Sequence, residues 1–315
     1  MQTSLPVTHP NTQTLESRSN PHVRIAYFIM VHHKPEVFKE MFQKIYARDQ
    51  FYLIHIDRKA SLEVTEEIQL FLVQFPNAYI LESTNILYGG FSMIQAELNA
   101  MEFLLNVSSE WDYFINLSGE DYPLKSQNII RKFLSVNNGR NYIFYYDQKF
   151  YRPDTLQRIQ NHFTELSYKI STLISNREFM KGVTPYIGGK WVIFTRETCS
   201  FLANNERVQD FEEFYLNTFL PAESFFQTVL MNTTFNDIII NDDKRAIIER
   251  PLIIRKQTTD TFIESLKSNT YFFIRKLNHK TDESIVKYIE ESYDLPLPEV
   301  DEINKEFKIN KRQNN

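Results

Sequence analysis

The sequence predicts an α/β fold: one large domain on a central, mostly parallel sheet with helices on both faces. Three observations predict it. Runs of strand length alternate with segments of helical spacing across residues 23–150. The strand-length runs are apolar throughout rather than alternating, the pattern of strands covered on both faces. The chain has 315 residues, 42% of them hydrophobic and 24% charged, enough for one sizeable core.

Residues 23–31 are a near-continuous apolar run, read as the first buried strand. Segment 36–46 has helical spacing, with Val37, Met41 and Ile45 on one side. A second buried strand, 51–56, ends at Asp57. Residues 62–75 read as a helix and 78–81 as a short strand. In 92–105, Ile94, Leu98, Met101 and Leu105 share one helical face, with Ser92 as the expected N-cap. Strands at 113–117 and 142–146 flank a helix at 126–136. A strand at 191–195 and a helix at 223–231 follow. Residues 1–22, polar and without periodicity, and 296–315, charged and poor in apolar residues, read as tails.

The totals exclude several function classes. A net charge of −5 argues against a nucleic-acid partner held by bulk electrostatics. Seven glycines are few for a glycine-rich phosphate loop. The single cysteine, Cys199, forms no intrachain disulfide and no thiolate cluster, and its setting reads as a helix interior. No secretory signal is evident, and apolar stretches such as 25–31 fall far short of the ~20 residues of a spanning helix. Sequons at Asn106, Asn116 and Asn232 lie in or beside expected elements and read as chance matches.

Ligands of parallel sheets bind beyond the carboxyl ends of the strands. Asp57 ends a strand there, where a carboxylate can accept from a nucleoside; capping the next helix is its alternative. The following Arg58-Lys59 supplies no second acid, so a divalent ion has too few hard ligands. Tyr88-Gly89-Gly90 joins an aromatic to two glycines before a helix, either for close approach to a ligand or as a simple turn. Glu120 and Asp121 follow the strand at 113–117 and are candidates for sugar or acceptor contacts, as is Trp191. His32 and His33 follow the first strand; adjacent residues in extended chain point apart, so at most one should face a pocket. Pro221-Ala222-Glu223-Ser224-Phe225-Phe226 sets a carboxylate at a helix start, either as a cap or as a base. Arg245, Arg250, Arg255, Arg275 and Lys276 punctuate the last third of the chain.

Taken in order, several segments resemble the core-2/I-branching β-1,6-N-acetylglucosaminyltransferase and peptide O-xylosyltransferase family. They are Ala26-Tyr27-Phe28-Ile29-Met30-Val31-His32-His33, Tyr52-Leu53-Ile54-His55-Ile56-Asp57, Tyr88-Gly89-Gly90-Phe91-Ser92 and Asn116-Leu117-Ser118-Gly119-Glu120-Asp121-Tyr122-Pro123. The stretch from Pro221 to Leu230 and Phe272-Phe273-Ile274-Arg275-Lys276-Leu277-Asn278 complete the set. The resemblance implies a GT-A fold, a Rossmann-like αβα sandwich. Its single domain would span 23–295, with a nucleotide half at about 23–150 and an acceptor half at about 151–295. It implies an inverting transfer from a UDP-sugar, N-acetylglucosamine first and xylose next, to a glycan or glycolipid acceptor, with no cofactor and no metal. By position, Met30, Asp57 and Tyr88 would line the uridine site, and Glu223 would be the catalytic base. Lys276 and Arg245 would hold the diphosphate, with Arg250 or Arg255 as alternatives to the arginine.

Two departures stand out. The family usually has Asp before the catalytic Glu; here it is Ala222. The family's animal members are Golgi-anchored and disulfide-rich, whereas this chain resembles a bacterial-type relative. That implies a cytoplasmic place, with peripheral attachment to the inner membrane as an option. Two rival readings remain open. One is a glycoside hydrolase using Glu223 with Asp121 or Glu120. The other is a non-catalytic carbohydrate-binding protein.

Overall fold

A computed structural model describes residues 23–166, 168–248 and 258–298. The first third runs β1 (Ile25–Val31), α1 (Pro35–Ile45), β2 (Phe51–Ile56), α2 (Leu62–Leu72), β3 (Ala78–Leu81) and α3 (Ser92–Val107). Next come β4 (Tyr113–Ser118), β5 (Tyr122–Pro123), α4 (Gln127–Val136), β6 (Asn141–Asp147), α5 (Gln148–Tyr151), α6 (Gln157–Gln160), β7 (His162–Glu165) and β8 (Ile170–Leu173). Then follow β9 (Tyr186–Thr195), α7 (Arg196–Asn204), α8 (Glu206–Tyr215), α9 (Phe225–Met231), β10 (Ile239–Ile240) and β11 (Arg245–Ile247). Helix α10 (Thr259–Ser268), β12 (Phe273–Arg275) and α11 (Glu283–Ser292) close the chain.

Seven strands form the central sheet in the order β10-β6-β9-β4-β1-β2-β3. Strand β1 lies parallel to β2 and β4, β2 to β3, and β10 to β6. Strand β9 alone runs against its neighbours, β4 and β6. The apolar runs are explained by cover on both faces. Ala26 and Phe28 of β1 pack into a core with α3, α7 and α9; Ile25, Tyr27, Ile29 and Val31 pack into a second core with α1, α2 and α4. The central sheet takes strands from both sides of residue 150, so the two expected halves share one sheet. A small sheet, β11-β12-β5, and a hairpin, β7-β8, stand apart from it.

The strands at 51–56 and 78–81 match the sequence reading. Strand β9 starts earlier than the apolar run at 191–195: Gly188-Gly189-Lys190 breaks that run, and the strand continues through it with a shift of register against β6. Gly188 faces a bulge between Ile143 and Tyr145, and a Cβ there would lie 1.8 Å from the Phe144 carbonyl oxygen. Gly188→Ala is therefore expected to destabilise the fold by about 1–3 kcal/mol, as overpacking does. A denaturant titration showing an unchanged midpoint would contradict this.

Three local expectations are corrected. Ser92 is not the side-chain N-cap of α3. Its Oγ accepts from the Leu87 N–H at 2.9 Å, while its own N–H donates to Glu165 Oε2 at 2.9 Å. The carboxylate at this helix start thus comes from β7. The helix expected at 223–231 begins at Phe225, and Glu223 lies before it on a 3₁₀ turn, Pro221–Glu223. The turn follows Leu220, at φ 52, and its carboxylate does not cap α9.

Cys199 is buried in α7, and burial pushes its thiol well above the usual value. Asn116 and Asn232 are tied into interior hydrogen bonds, whereas Asn106 is exposed at the end of α3. Among the described residues, no helix is long and apolar enough to cross a membrane. The tail expected at 1–22 lies outside the described residues, as does that at 296–315 beyond residue 298.

Candidate active site

The carboxyl ends of β1, β2 and β4 open onto a cavity of about 380 Å³. This is the side on which parallel sheets bind ligands. Strand β1 delivers Met30, His32 and His33; β2 delivers His55 and Asp57; β4 delivers Ser118 and Glu120. Tyr88 comes from the segment before α3, Lys190 from β9, and Arg275 and Lys276 from the end of β12.

Asp57 is anchored by its own N–H, which donates to the Val31 carbonyl at 2.9 Å. Its Oδ1 accepts from the Lys59 N–H at 2.8 Å. It does not cap α2, because Ser61 does so by accepting from the Val64 N–H. The second carboxylate oxygen carries no protein hydrogen bond in the described structure. Tyr88 is 71% exposed at the cavity mouth. Its two glycines serve packing: Gly89, at φ +90, abuts the Phe219 ring, and Gly90 abuts the Glu165 carboxylate. The Gly89 carbonyl also accepts from the Leu220 N–H at 2.8 Å, which ties the Tyr88 loop to the Glu223 turn.

His32 and His33 both line the cavity, with ring centroids 4.0 Å apart. The expectation that only one would face it assumed extended chain, and β1 ends at Val31. Burial, then the neighbouring His33, pushes the His32 pKa below its usual value.

The cationic side is built around Trp191. Arg275 lies over one part of this ring at 4.6 Å from its centroid and Arg245 at 4.4 Å. Arg245 is the buried one, its side chain 1% exposed. Its Nη1 donates to Asp121 Oδ1 at 2.8 Å and its Nη2 to the Asn116 carbonyl at 3.1 Å. Arg275 reaches the cavity, donating to Ser118 Oγ at 2.9 Å.

Of the sugar or acceptor candidates, only Glu120 lines the cavity. Asp121 is fully buried, and its Oδ2 accepts from the Ser118 N–H at 2.6 Å and Oγ at 2.8 Å. Trp191 is 3% exposed beneath its guanidinium groups. Both are committed to holding the cations in place. Likewise, Arg245 is not at the cavity; Arg275 and Lys276 are. Arg250 and Arg255 lie outside the described residues.

Glu223 sits apart from the cavity lining. Its Oε2 accepts from Arg158 Nη1 at 2.7 Å, and its side chain is 34% exposed. Its charge bears on Lys190, which does line the cavity. Lys190 has its pKa lowered by burial and then by Arg275, against the pull of Glu97, Asp121 and Glu223. Beneath it, Asn116 Nδ2 donates to the Lys190 carbonyl at 2.8 Å and to Glu97 Oε1 at 3.0 Å. Burial pushes Glu97 up to about 7, opposed by Asn116 and Lys190.

Sequence reasoning missed Lys190, Arg158 and Glu97, and it named Arg275 without choosing it. The usable signals were the glycine pair before Lys190 and the contiguity of Arg275 with Lys276. Among the described residues, no group of three or more His, Cys, Asp or Glu is placed to hold a metal ion.

The sequence profile of the Core-2/I-Branching enzyme family matches residues 25–249, and the chain belongs to that family. It is 31% identical over 234 residues to rat xylosyltransferase 1, covering 72% of this chain and 28% of that protein. It is 30% identical over 209 residues to mouse N-acetyllactosaminide beta-1,6-N-acetylglucosaminyl-transferase, covering 65% of this chain and 52% of that one. The chain thus spans about a quarter to a half of the length of these curated relatives. The apo structure of mouse xyloside xylosyltransferase 1 superposes over 82% of this chain and 99% of its own. The TM-score is 0.38 at 12% sequence identity.

Proposed function

We propose that the protein is an inverting glycosyltransferase. It moves a sugar, N-acetylglucosamine first and xylose next, from a UDP-sugar to a hydroxyl of a glycan acceptor. One observation carries the reading: the cavity wall combines two unlike sets of side chains. Met30, Asp57 and Tyr88 offer apolar, carboxylate and aromatic groups suited to a nucleoside, while Lys190, Arg275 and Lys276 offer cations suited to a diphosphate.

The chemistry is the one the family resemblance implies. The acceptor hydroxyl attacks the anomeric carbon, and Glu223 takes its proton. Arg158 holds the Glu223 carboxylate in one orientation by a charge-assisted hydrogen bond. UDP leaves from the opposite face, so the configuration inverts. Charge growing on the diphosphate is met by Arg275 and Lys276, a role usually shared with a metal ion and here assigned to side-chain cations. Arg245 braces this set from behind rather than touching the donor. Its guanidinium, shared between Asp121 and the Asn116 carbonyl, fixes Trp191, against which Arg275 lies.

Nothing favours the hydrolase reading. That chemistry needs a protonated carboxyl as acid. Asp121 is bound by Arg245 and Ser118, and Glu120 is held at about 2: partial burial opposes its charge, but Lys34 and Lys276 outweigh burial. Ala222 packs into the core beside α3, so its small side chain is a packing residue of the turn.

A screen of UDP-sugars for slow hydrolysis, with and without EDTA, tests the reading. UDP-N-acetylglucosamine or UDP-xylose is expected to be consumed at similar rates in both conditions. Consumption of no UDP-sugar, with or without glycan acceptors, would overturn the donor assignment; consumption only with added metal would overturn the role given to the cations. Lys276→Ala is expected to weaken UDP by about tenfold and uridine much less, since a charge-assisted contact to phosphate is lost. Equal losses in calorimetry would remove Lys276 from the diphosphate.

A further inference from the structure

Glu120 stands where the cavity's cations meet. Its side chain is 11% exposed and accepts from Lys34 Nζ at 2.6 Å. Lys276 Nζ is 3.1 Å from its other oxygen, and His33 Nε2 lies 3.4 Å from the first. The ammonium assigned to the donor's diphosphate is therefore already paired with an anion of the protein.

The two lysines differ in what they can do. Lys276 is 60% exposed and lines the cavity, so its long side chain can turn to a ligand. Lys34 precedes α1 in a left-handed conformation, φ 52, and does not line the cavity. If Lys276 leaves, Lys34 still pairs Glu120. Without Lys34, the departure would strand a largely buried carboxylate, and unpaired buried charge is costly.

We infer that Glu120 is a positioning residue that stands in for the phosphate charge: it holds Lys276 at the cavity and yields it to the diphosphate. Lys34 makes the exchange feasible by keeping Glu120 paired throughout. The carboxylate then remains close to the bound diphosphate and lowers its affinity, which favours release of UDP after transfer. No bond is made or broken by Glu120. The inference rests on the UDP-sugar reading above and adds to it the control of diphosphate affinity.

Calorimetric titration of UDP and of uridine into the full chain tests it, using wild type, Glu120→Gln, Lys34→Ala and the double variant. Glu120→Gln is expected to bind UDP about tenfold more tightly, the scale of one like charge near a ligand in a half-exposed site. Uridine affinity should stay unchanged, which also shows that the fold is intact. Lys34→Ala should weaken UDP by roughly threefold, because Glu120 then holds Lys276 harder. The double variant should match Glu120→Gln. Stronger product inhibition by UDP should accompany the tighter binding. Unchanged or weaker UDP binding by Glu120→Gln would overturn the inference, as would a Lys34→Ala loss that persists without Glu120. Wild type that binds uridine and UDP equally would overturn the donor reading itself, and this inference with it.

Discussion

Replacing Glu223 with glutamine is expected to lower transfer by about 10²–10⁴-fold, the contribution of general-base catalysis, and to leave UDP binding in place. The backbone of the turn is held independently of the side chain. Leu220 N–H donates to the Gly89 carbonyl at 2.8 Å, and Glu223 N–H donates to the Leu220 carbonyl at 3.1 Å. The amide oxygen of glutamine can still accept from Arg158. The lost ion pair is about one-third exposed on the carboxylate side and should cost no more than about 1 kcal/mol. What glutamine cannot do is accept a proton. Measured kcat and UDP affinity separate the roles: near-normal transfer in a stable, UDP-binding variant would reduce Glu223 to an anchor for Arg158.

Arg245→Met is expected to cost about 3–5 kcal/mol of stability, the scale for removing one partner of a buried pair. Methionine fills much of the volume, but Asp121, fully buried, loses the guanidinium at 2.8 Å and keeps only that of Arg275 at 3.5 Å. The Asn116 carbonyl loses its donor as well. Adding Asp121→Asn should recover part of the loss, because the buried carboxylate that has lost its nearer guanidinium is then gone. Denaturant titrations of the single and double variants measure this directly. An Arg245→Met protein of normal stability that binds UDP poorly would contradict the bracing role and return Arg245 to the donor.

The central sheet was legible because burial on both faces writes continuous apolar runs. Strands 51–56 and 78–81 end where they were read to end, and the residues just past β1, β2 and β4 do open onto the cavity. Met30, Asp57, Tyr88, Glu120 and Lys276 all line it. The small sheet was illegible for the opposite reason. Strands β11 and β12 are three residues each, too short for periodicity, and β12 pairs with β5 from a distant part of the chain. That Arg275, and not the expected Arg245, reaches the cavity depends on that pairing. The same holds for the start of α3: Ser92 had the right chemistry for a cap, but the carboxylate that serves the helix is Glu165, 73 residues away. His32 and His33 were misjudged because a rule for extended chain was carried past the end of β1.

The central claim is that this cavity takes a UDP-sugar by its diphosphate as well as by its nucleoside. Titrating UDP and uridine into wild type and Lys276→Ala, all in EDTA, tests it most directly. Wild type should bind UDP distinctly more tightly than uridine, and Lys276→Ala should erase most of that difference. Equal affinity of wild type for the two ligands, or no binding of either, would contradict the account.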